Sequence, residues 1–216
     1  MLRQGGRGAL GSHSVSAPGY PFVTALPYVP DGESRPLFLL SGLAEHTRNL
    51  IADPRASLLV TGGGGGLFEE ARLTLLGMVR PVAMDEASLA RFLRYSPESE
   101  EYLSLGDFRF FRMEPGRARF IGGFGRMGWA EVTRPSLVLD PADEKAVVDR
   151  LVHLVPVGTS LLGVDFEGID MRIGGIFRRF ALSPKKCSVD AIYEAAAETL
   201  SGAGDGLPRT DDSAWA

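Results

Sequence analysis

Four side chains that can bind an anion lie close together near the end of the first fifth of this 216-residue chain. They are Ser41, His46, Thr47 and Arg48. An apolar run precedes them at residues 37–40 and Asp53-Pro54 follows them, which predicts a strand, a polar turn and a short helix. A helix N-terminus presents unpaired N–H groups and the positive end of a dipole. The arrangement therefore predicts a site for a phosphate.

The same residues also fit an ordinary helix start. Ser41 stands where a helix that begins near Gly42 would need its N-cap. In that case His46 and Arg48 are solvated side chains without a ligand. The spacing alone leaves both interpretations open.

Strand patterns separated by turns surround this segment up to residue 135. Predicted strands include residues 22–29, 37–40, 56–60 and 71–82, and two more, 108–113 and 117–122, flank a predicted turn at Glu114-Pro115-Gly116. A helix is predicted over residues 84–95. The glycines of 62–66 lack the Gly-Lys-Ser/Thr ending of a phosphate loop, so they predict a hairpin tip. Six strands with one helical insertion predict a small Greek-key barrel.

The pattern changes after Arg134-Pro135. An amphipathic helix is predicted over residues 141–155, a strand hairpin over 161–173 and a closing helix over 188–200, capped by Ser188. We therefore predict a barrel domain at 1–135, a small α-β-β-α domain at 136–202 and a disordered tail at 203–216.

Composition excludes several classes of function. The 23 basic and 27 acidic side chains give a net charge of −4, which disfavours nucleic acid and anionic membranes as partners. The single cysteine, Cys187, cannot form an internal disulfide or a cysteine metal site, and no metal site is predicted. The first residues contain no apolar signal core, and no run of 18 apolar residues occurs. These features predict a soluble cytoplasmic protein.

One longer pattern is specific. Residues 41–59 contain Ser-x-Leu-Ala-x-His-Thr-x-Asn-Leu-x-x-Asp-Pro-Arg-x-Ser-Leu-Leu, and further matches follow in order at Ala71–Gly77, Pro97–Phe108 and Ile121–Arg126. This series resembles the pyridoxamine 5′-phosphate oxidase-like split-barrel proteins, and most closely their haem-utilisation (HugZ-like) branch. It covers roughly residues 8–135.

The resemblance implies an α+β fold: a six-stranded antiparallel Greek-key split β-barrel with helical insertions. It also implies a homodimer that binds flavin mononucleotide (FMN), or haem, in a groove at the subunit interface. Thr24 would line the flavin, His46 and Thr47 would approach its phosphate, and Arg72 would point at the polar edge of its ring. The full set of implied cofactor residues is Thr24, Ala25, Leu40, Ser41, His46, Thr47, Asn49, Arg72 and Arg126.

Departures from the family pattern limit what the resemblance implies. The oxidases place Arg-Lys where this chain has Glu45-His46, so the phosphate site is less basic. No counterpart of their C-terminal substrate arginine and histidine follows the barrel, which argues against pyridoxamine phosphate oxidation. Haem-degrading relatives hold the iron with a histidine in their C-terminal region. After His46 the only histidine of this chain is His153. His13, near the first strand, is another possible iron ligand.

Three classes of function remain open, and the catalytic residues are unknown. The first is a flavin-dependent oxidoreductase or a haem-utilisation protein. The second is a flavin or haem carrier without turnover. The third is a cofactor-free dimeric interaction or stress module.

Overall fold

The computed structural model describes residues 1–62, 70–122, 125–182 and 188–202. Most of the predicted glycine hairpin tip, Cys187 and the predicted tail lie outside these residues. The chain forms two compact units, one of residues 1–84 with 96–135 and one of residues 85–95 with the chain from Ser136 onward. We name them the barrel unit and the C-terminal unit. The predicted domain boundary at residue 135 stays a prediction.

The described residues of the barrel unit form seven strands and two α-helices. The strands are β1 (Gly6–His13), β2 (Pro21–Pro30), β3 (Pro36–Ser41), β4 (Arg55–Thr61), β5 (Arg72–Pro81), β6 (Phe108–Ile121) and β7 (Met127–Glu131). Helix α1 (Glu45–Ala52) follows β3; α2 (Glu86–Tyr95) belongs to the other unit, and α3 (Ser99–Leu103) precedes β6.

All neighbouring strands are antiparallel, in the order β3-β2-β1-β4-β5-β6-β7. An additional pairing of β3 with β6 closes the first six strands into a barrel, and β7 extends β6 outside it. The predicted fold class, an α+β split barrel with a small C-terminal part, is confirmed.

Alternation along the strands sorts side chains between the two faces of the barrel wall. Leu10, Leu58 and Leu75 lie opposite one another on β1, β4 and β5 and are buried in the core with Phe38 and Met113. Because successive side chains in a strand point to opposite faces, the residues between these core positions face outward.

The predicted turn at 114–116 is wrong, because β6 runs unbroken through it. The register between β5 and β6 shifts at Leu76/Gly77, and Gly77 faces Pro115. A proline lacks the N–H that a regular ladder needs and is tolerated at a bulge. A Cβ on Gly77 would lie 2.2 Å from the Glu114 carbonyl oxygen, so this close approach requires glycine.

In the part of the C-terminal unit that the structure describes, a three-stranded antiparallel sheet is accompanied by three α-helices. Its elements are α2, α4 (Pro141–Leu151), β8 (Thr159–Val164), β9 (Gly168–Ile173), β10 (Ile176–Ala181) and α5 (Val189–Gly202). Ser188 Oγ accepts a hydrogen bond from the Ala191 N–H at 3.3 Å, which confirms the predicted cap. Strand β10 was not expected; it follows a two-glycine turn at Gly174-Gly175, where both φ angles are positive.

Helix α2 joins this unit through buried polar side chains. Arg91 forms an ion pair with Glu144 on α4. The Tyr95 hydroxyl donates to Asp170 Oδ2 on β9 at 2.7 Å, and Arg179 on β10 donates to the other oxygen of Asp170, also at 2.7 Å. Burial raises the pKa of Tyr95 well above its usual 10, so the hydroxyl remains a donor. Every buried charge in this network therefore has a partner of opposite sign.

Within the described ranges, none of the helices is both long enough and apolar enough to cross a membrane.

Candidate functional site

The first group of predicted site residues lies where β3 leads into α1. The Ser41 hydroxyl donates to Asp107 Oδ2 at 2.5 Å and accepts from the Leu43 N–H at 3.1 Å. The helix begins only at Glu45, and Ala44 occupies the N-cap position. The prediction that Ser41 caps a helix starting near Gly42 is therefore wrong, because its hydroxyl fastens the turn to Asp107 instead. Since alanine has no acceptor, the first turn of α1 keeps N–H groups without a side-chain cap.

Two residues on this first turn are suited to a ligand anion. Thr47 is only 2% exposed, and its Oγ1 has no hydrogen-bond partner among the described residues. An unpaired buried hydroxyl is costly, so it marks a place where a ligand or water belongs. His46 is half-buried, and burial lowers the pKa of its imidazole below 6.5. Near neutral pH the His46 and Thr47 side chains therefore offer neutral donors, and the positive charge of this segment is that of the exposed Arg48, whose Nη1 donates to the Leu43 carbonyl at 3.1 Å.

Asn49 and Leu40 hold the same segment in place. Asn49 is fully buried; its Oδ1 accepts from the Val15 N–H at 2.9 Å and its Nδ2 donates to Ser12 Oγ at 3.2 Å. Leu40 is part of the barrel core. Both side chains thus position α1 against the barrel, and their contact with a cofactor stays a prediction.

The second group lies on the outer face of the barrel. Arg72 pairs with Thr61 on β4 and with Ile121 on β6, and its neighbour Leu73 packs against the core. The half-buried Arg72 therefore faces outward. Its Nε is buried and, among the described residues, lacks a hydrogen-bond partner.

Strands β6 and β7 add an aromatic side chain and two further cations to this face. The guanidinium carbons of Arg117 and Arg119 lie 4.9 Å and 5.4 Å from the ring centroid of Trp129. Sequence reasoning missed all three residues. Alternation over residues 117–121 would have placed both arginines on one face, but Trp129 lies on a strand that no pattern had indicated.

The remaining predicted residues lie on different surfaces. Thr24 pairs with Leu10 and shares the inner face with the core, whereas Ala25 faces outward. Ala25 belongs to one row of paired residues that crosses the outer face: Ala25, Ala9, Leu59, Thr74, Arg119 and Trp129. Arg126 is exposed beyond β6, and its carbonyl accepts from the Gly122 N–H at 2.7 Å.

The two groups do not meet within one chain. Ser12, which binds Asn49 of α1, lies opposite Ala56 on β4, whereas Arg72 lies opposite Thr61. At 3.3 Å per residue these positions on β4 are roughly 16 Å apart. Both histidines considered as iron ligands are exposed, His13 at the end of β1 and His153 just after α4.

A closed six-stranded antiparallel barrel with an added edge strand and a helix between β3 and β4 defines a split-barrel protein. The chain belongs to the pyridoxamine 5′-phosphate oxidase family, whose model matches residues 7–122.

Known proteins resemble this chain in sequence and in structure. The non-canonical chloroplastic haem oxygenase of Arabidopsis thaliana is 31% identical over 167 residues, which cover 74% of this chain and 49% of that protein. The chain thus spans about half the length of this relative. The haem oxygenase HutZ of Vibrio cholerae is 29% identical over 121 residues, which cover 52% of this chain and 68% of that protein. A protein of unknown function from Agrobacterium tumefaciens has the same fold, with a TM-score of 0.72 at 22% identity over 91% of both chains.

Proposed function

We propose that this protein binds haem and serves haem utilisation, as a homodimer with the ligand groove at the subunit interface. The observation that carries the proposal is Arg72: a cation on the outer face of the barrel whose Nε is buried and lacks a partner among the described residues. The two haem oxygenases that resemble this chain support haem as the ligand.

The residues around Arg72 fit the chemistry of haem. Haem has a flat apolar body and two carboxylates, so its site needs an apolar surface with cations near it. Leu59, Thr74 and Ile121 lie on the outer face within one or two positions of Arg72. The guanidinium would hold a carboxylate, and the apolar side chains would cover the ring. Bound haem would supply the iron at which oxygen chemistry takes place.

Exposed apolar side chains support the homodimer. Val23, Leu59, Leu76 and Trp129 share the outer face and are 63%, 36%, 37% and 48% exposed. An apolar patch of this kind is typical of a protein interface. We expect sedimentation equilibrium to give twice the chain mass of 23.2 kDa.

Absorbance titration with haemin tests the proposal. We expect saturable binding of about one haem per subunit, and loss of the haem band after ascorbate is added in air if the protein degrades haem. Binding without loss of the band would indicate a carrier. Failure to bind haemin would contradict the proposal.

FMN is the second candidate ligand, favoured by the uncapped start of α1 and the unpaired hydroxyl of Thr47. In an FMN-dependent oxidoreductase, Arg72 beside the ring would stabilise the anionic reduced flavin. We therefore expect the Arg72→Gln variant to lower the flavin midpoint potential, as measured by a redox titration with dye standards. An unchanged potential would remove this role. If neither FMN nor haemin binds, a cofactor-free interaction module becomes the better interpretation.

A further inference from the structure

We infer that Arg119 and Trp129 form a carboxylate clamp on the outer face: Arg119 holds a ligand carboxylate while the Trp129 indole packs against the flat body beside it. The inference rests on the proposed function and names the residues that select an acidic tetrapyrrole.

The strand pairing places the two residues side by side. Arg119 on β6 lies directly opposite Trp129 on β7 and Thr74 on β5. Its guanidinium carbon is 5.4 Å from the indole centroid, and Nη2 donates to Met127 Sδ at 3.4 Å. Arg72 is two residues from Thr74 on the same face, so the two arginines are diagonal neighbours. Two cations thus border one apolar surface.

Arg119 differs from its neighbour Arg117 in one respect. Both guanidiniums lie over the same indole, but Arg117 also forms an ion pair with Glu131 at 3.0 Å. Arg119 contacts a ring and a thioether, and none of the described carboxylates lies within ion-pair distance of it. A half-buried guanidinium with only soft, neutral partners retains most of its capacity to bind an anion. Arg119 is therefore the one to test, with Arg117 as its matched control.

The surroundings define the class of ligand. Trp129 is about half exposed, and Ile121 and Leu59 lie on the same face, so the ligand has a flat apolar body. The two cations at its border require negative charge on the periphery of that body. A tetrapyrrole with propionate side chains has both properties. A flavin phosphate shares the negative charge, so the test includes FMN.

The decisive experiment compares haemin with haem dimethyl ester, in which both carboxylates are blocked. Dissociation constants are measured by absorbance for the full-length protein and its Arg119→Gln and Arg117→Gln variants. We expect Arg119→Gln to weaken haemin binding about tenfold and to leave the ester unaffected, as for the loss of one charge-assisted hydrogen bond. Arg117→Gln should change neither affinity by more than about twofold, because its ion pair is solvent-exposed. Equal haemin affinity in wild type and Arg119→Gln, or equal weakening of both ligands, would overturn the inference.

A second variant tests the indole and guards against misfolding. Trp129→Leu should weaken haemin and the ester by the same factor, with an unchanged circular dichroism spectrum. If Trp129→Leu changes only the oligomeric state, the face serves subunit contact alone and the clamp is wrong. If Arg119→Gln weakens FMN but not haemin, the anion is a phosphate and the assignment to a tetrapyrrole is wrong. Wild-type protein that binds no haemin refutes the proposed function itself, which is a different result from a failure of the clamp.

Discussion

At the scale of single residues, the structure separates side chains that hold the fold from those left for a ligand. Ser41 and Asn49 belong to one motif with His46 and Thr47, but their polar atoms are hydrogen-bonded to Asp107, Ser12 and nearby backbone groups. The motif predicted that these residues lie together. It could not predict which of them keep a free polar atom, because that depends on partners as far away as Asp107.

Replacing Thr47 with valine tests whether its hydroxyl serves a ligand. The variant removes a buried, unpaired Oγ1 with little change in volume, so we expect the free protein to become about 1 kcal/mol more stable. Binding of FMN should weaken if its phosphate uses this hydroxyl. Urea unfolding and FMN titration measure the two effects. Thr199→Val is the control, since that hydroxyl donates to the Ala195 carbonyl at 2.8 Å. Equal destabilisation by both variants would contradict the prediction.

The half-buried imidazole of His46 makes stability depend on pH. Burial lowers its pKa from 6.5, so the unfolded chain takes up this proton at a higher pH than the folded protein does. The corresponding stability is therefore present above about pH 6.5 and is lost as the pH falls through the folded pKa. We expect His46→Gln to reduce the decrease in the free energy of unfolding between about pH 7 and pH 5.5, measured by urea titration. The exposed His153→Gln control should retain the wild-type slope; a His46→Gln slope equal to it would count against the prediction.

At the scale of elements, local sequence patterns located most strands. They failed where pairing with a distant strand decides whether a segment is a strand or a turn. A Glu-Pro-Gly sequence ordinarily turns, but β6 continues through it as a bulge, in which Gly116 is the extra residue and Pro115 pairs with Gly77 of β5. Strand β7 lacks the alternation of buried and exposed residues that marks a barrel strand, since all five of its residues are exposed. Its existence depends on β6 alone, which the sequence of residues 127–131 does not reveal.

The close packing at this bulge can be tested at Gly77, the residue of β5 that pairs with Pro115. In Gly77→Ala the added Cβ would meet the Glu114 carbonyl oxygen at 2.2 Å, so the backbones of β5 and β6 must separate. We expect a loss of roughly 2 kcal/mol or more in the free energy of unfolding. Gly128→Ala, where nothing lies within 4 Å of the new atom, is the matched control and should have almost no effect. Similar losses in both would show that close packing at the bulge is not the cause.

The ion pair between α2 and α4 allows a second test at this scale. Glu144 is buried and accepts from both Arg91 and Arg94, so Glu144→Gln leaves two guanidiniums without their carboxylate. We expect a loss of about 3 kcal/mol in the free energy of unfolding. Urea denaturation of this variant should be compared with Glu198→Gln on the exposed face of α5. A difference below about 1 kcal/mol between them would indicate that the pair is exposed in solution.

At the scale of the whole molecule, the barrel could be predicted because segments of its family pattern follow one another in order from residue 41 to residue 126. The sequence could not predict that α2 belongs to the C-terminal unit. An apolar stripe predicts that residues 84–95 form a helix, but not which core receives it; Arg91 and Tyr95 find their partners at Glu144 and Asp170, more than fifty positions along the chain.

Because α2 precedes residue 135 in the chain but packs in the C-terminal unit, we expect the protein to stay in one piece after a protease cut between them. A single cut after Pro135 would leave α2 on the N-terminal fragment and α4, α5 and the three-stranded sheet on the other. The severed pieces would still share the Arg91–Glu144 ion pair and the Tyr95–Asp170 hydrogen bond, both shielded from water. We expect nicked protein to elute as one species in size-exclusion chromatography and to separate only in denaturant, because these non-covalent contacts still join the two fragments. Separation without denaturant would mean that the helix is held too weakly to keep the halves together.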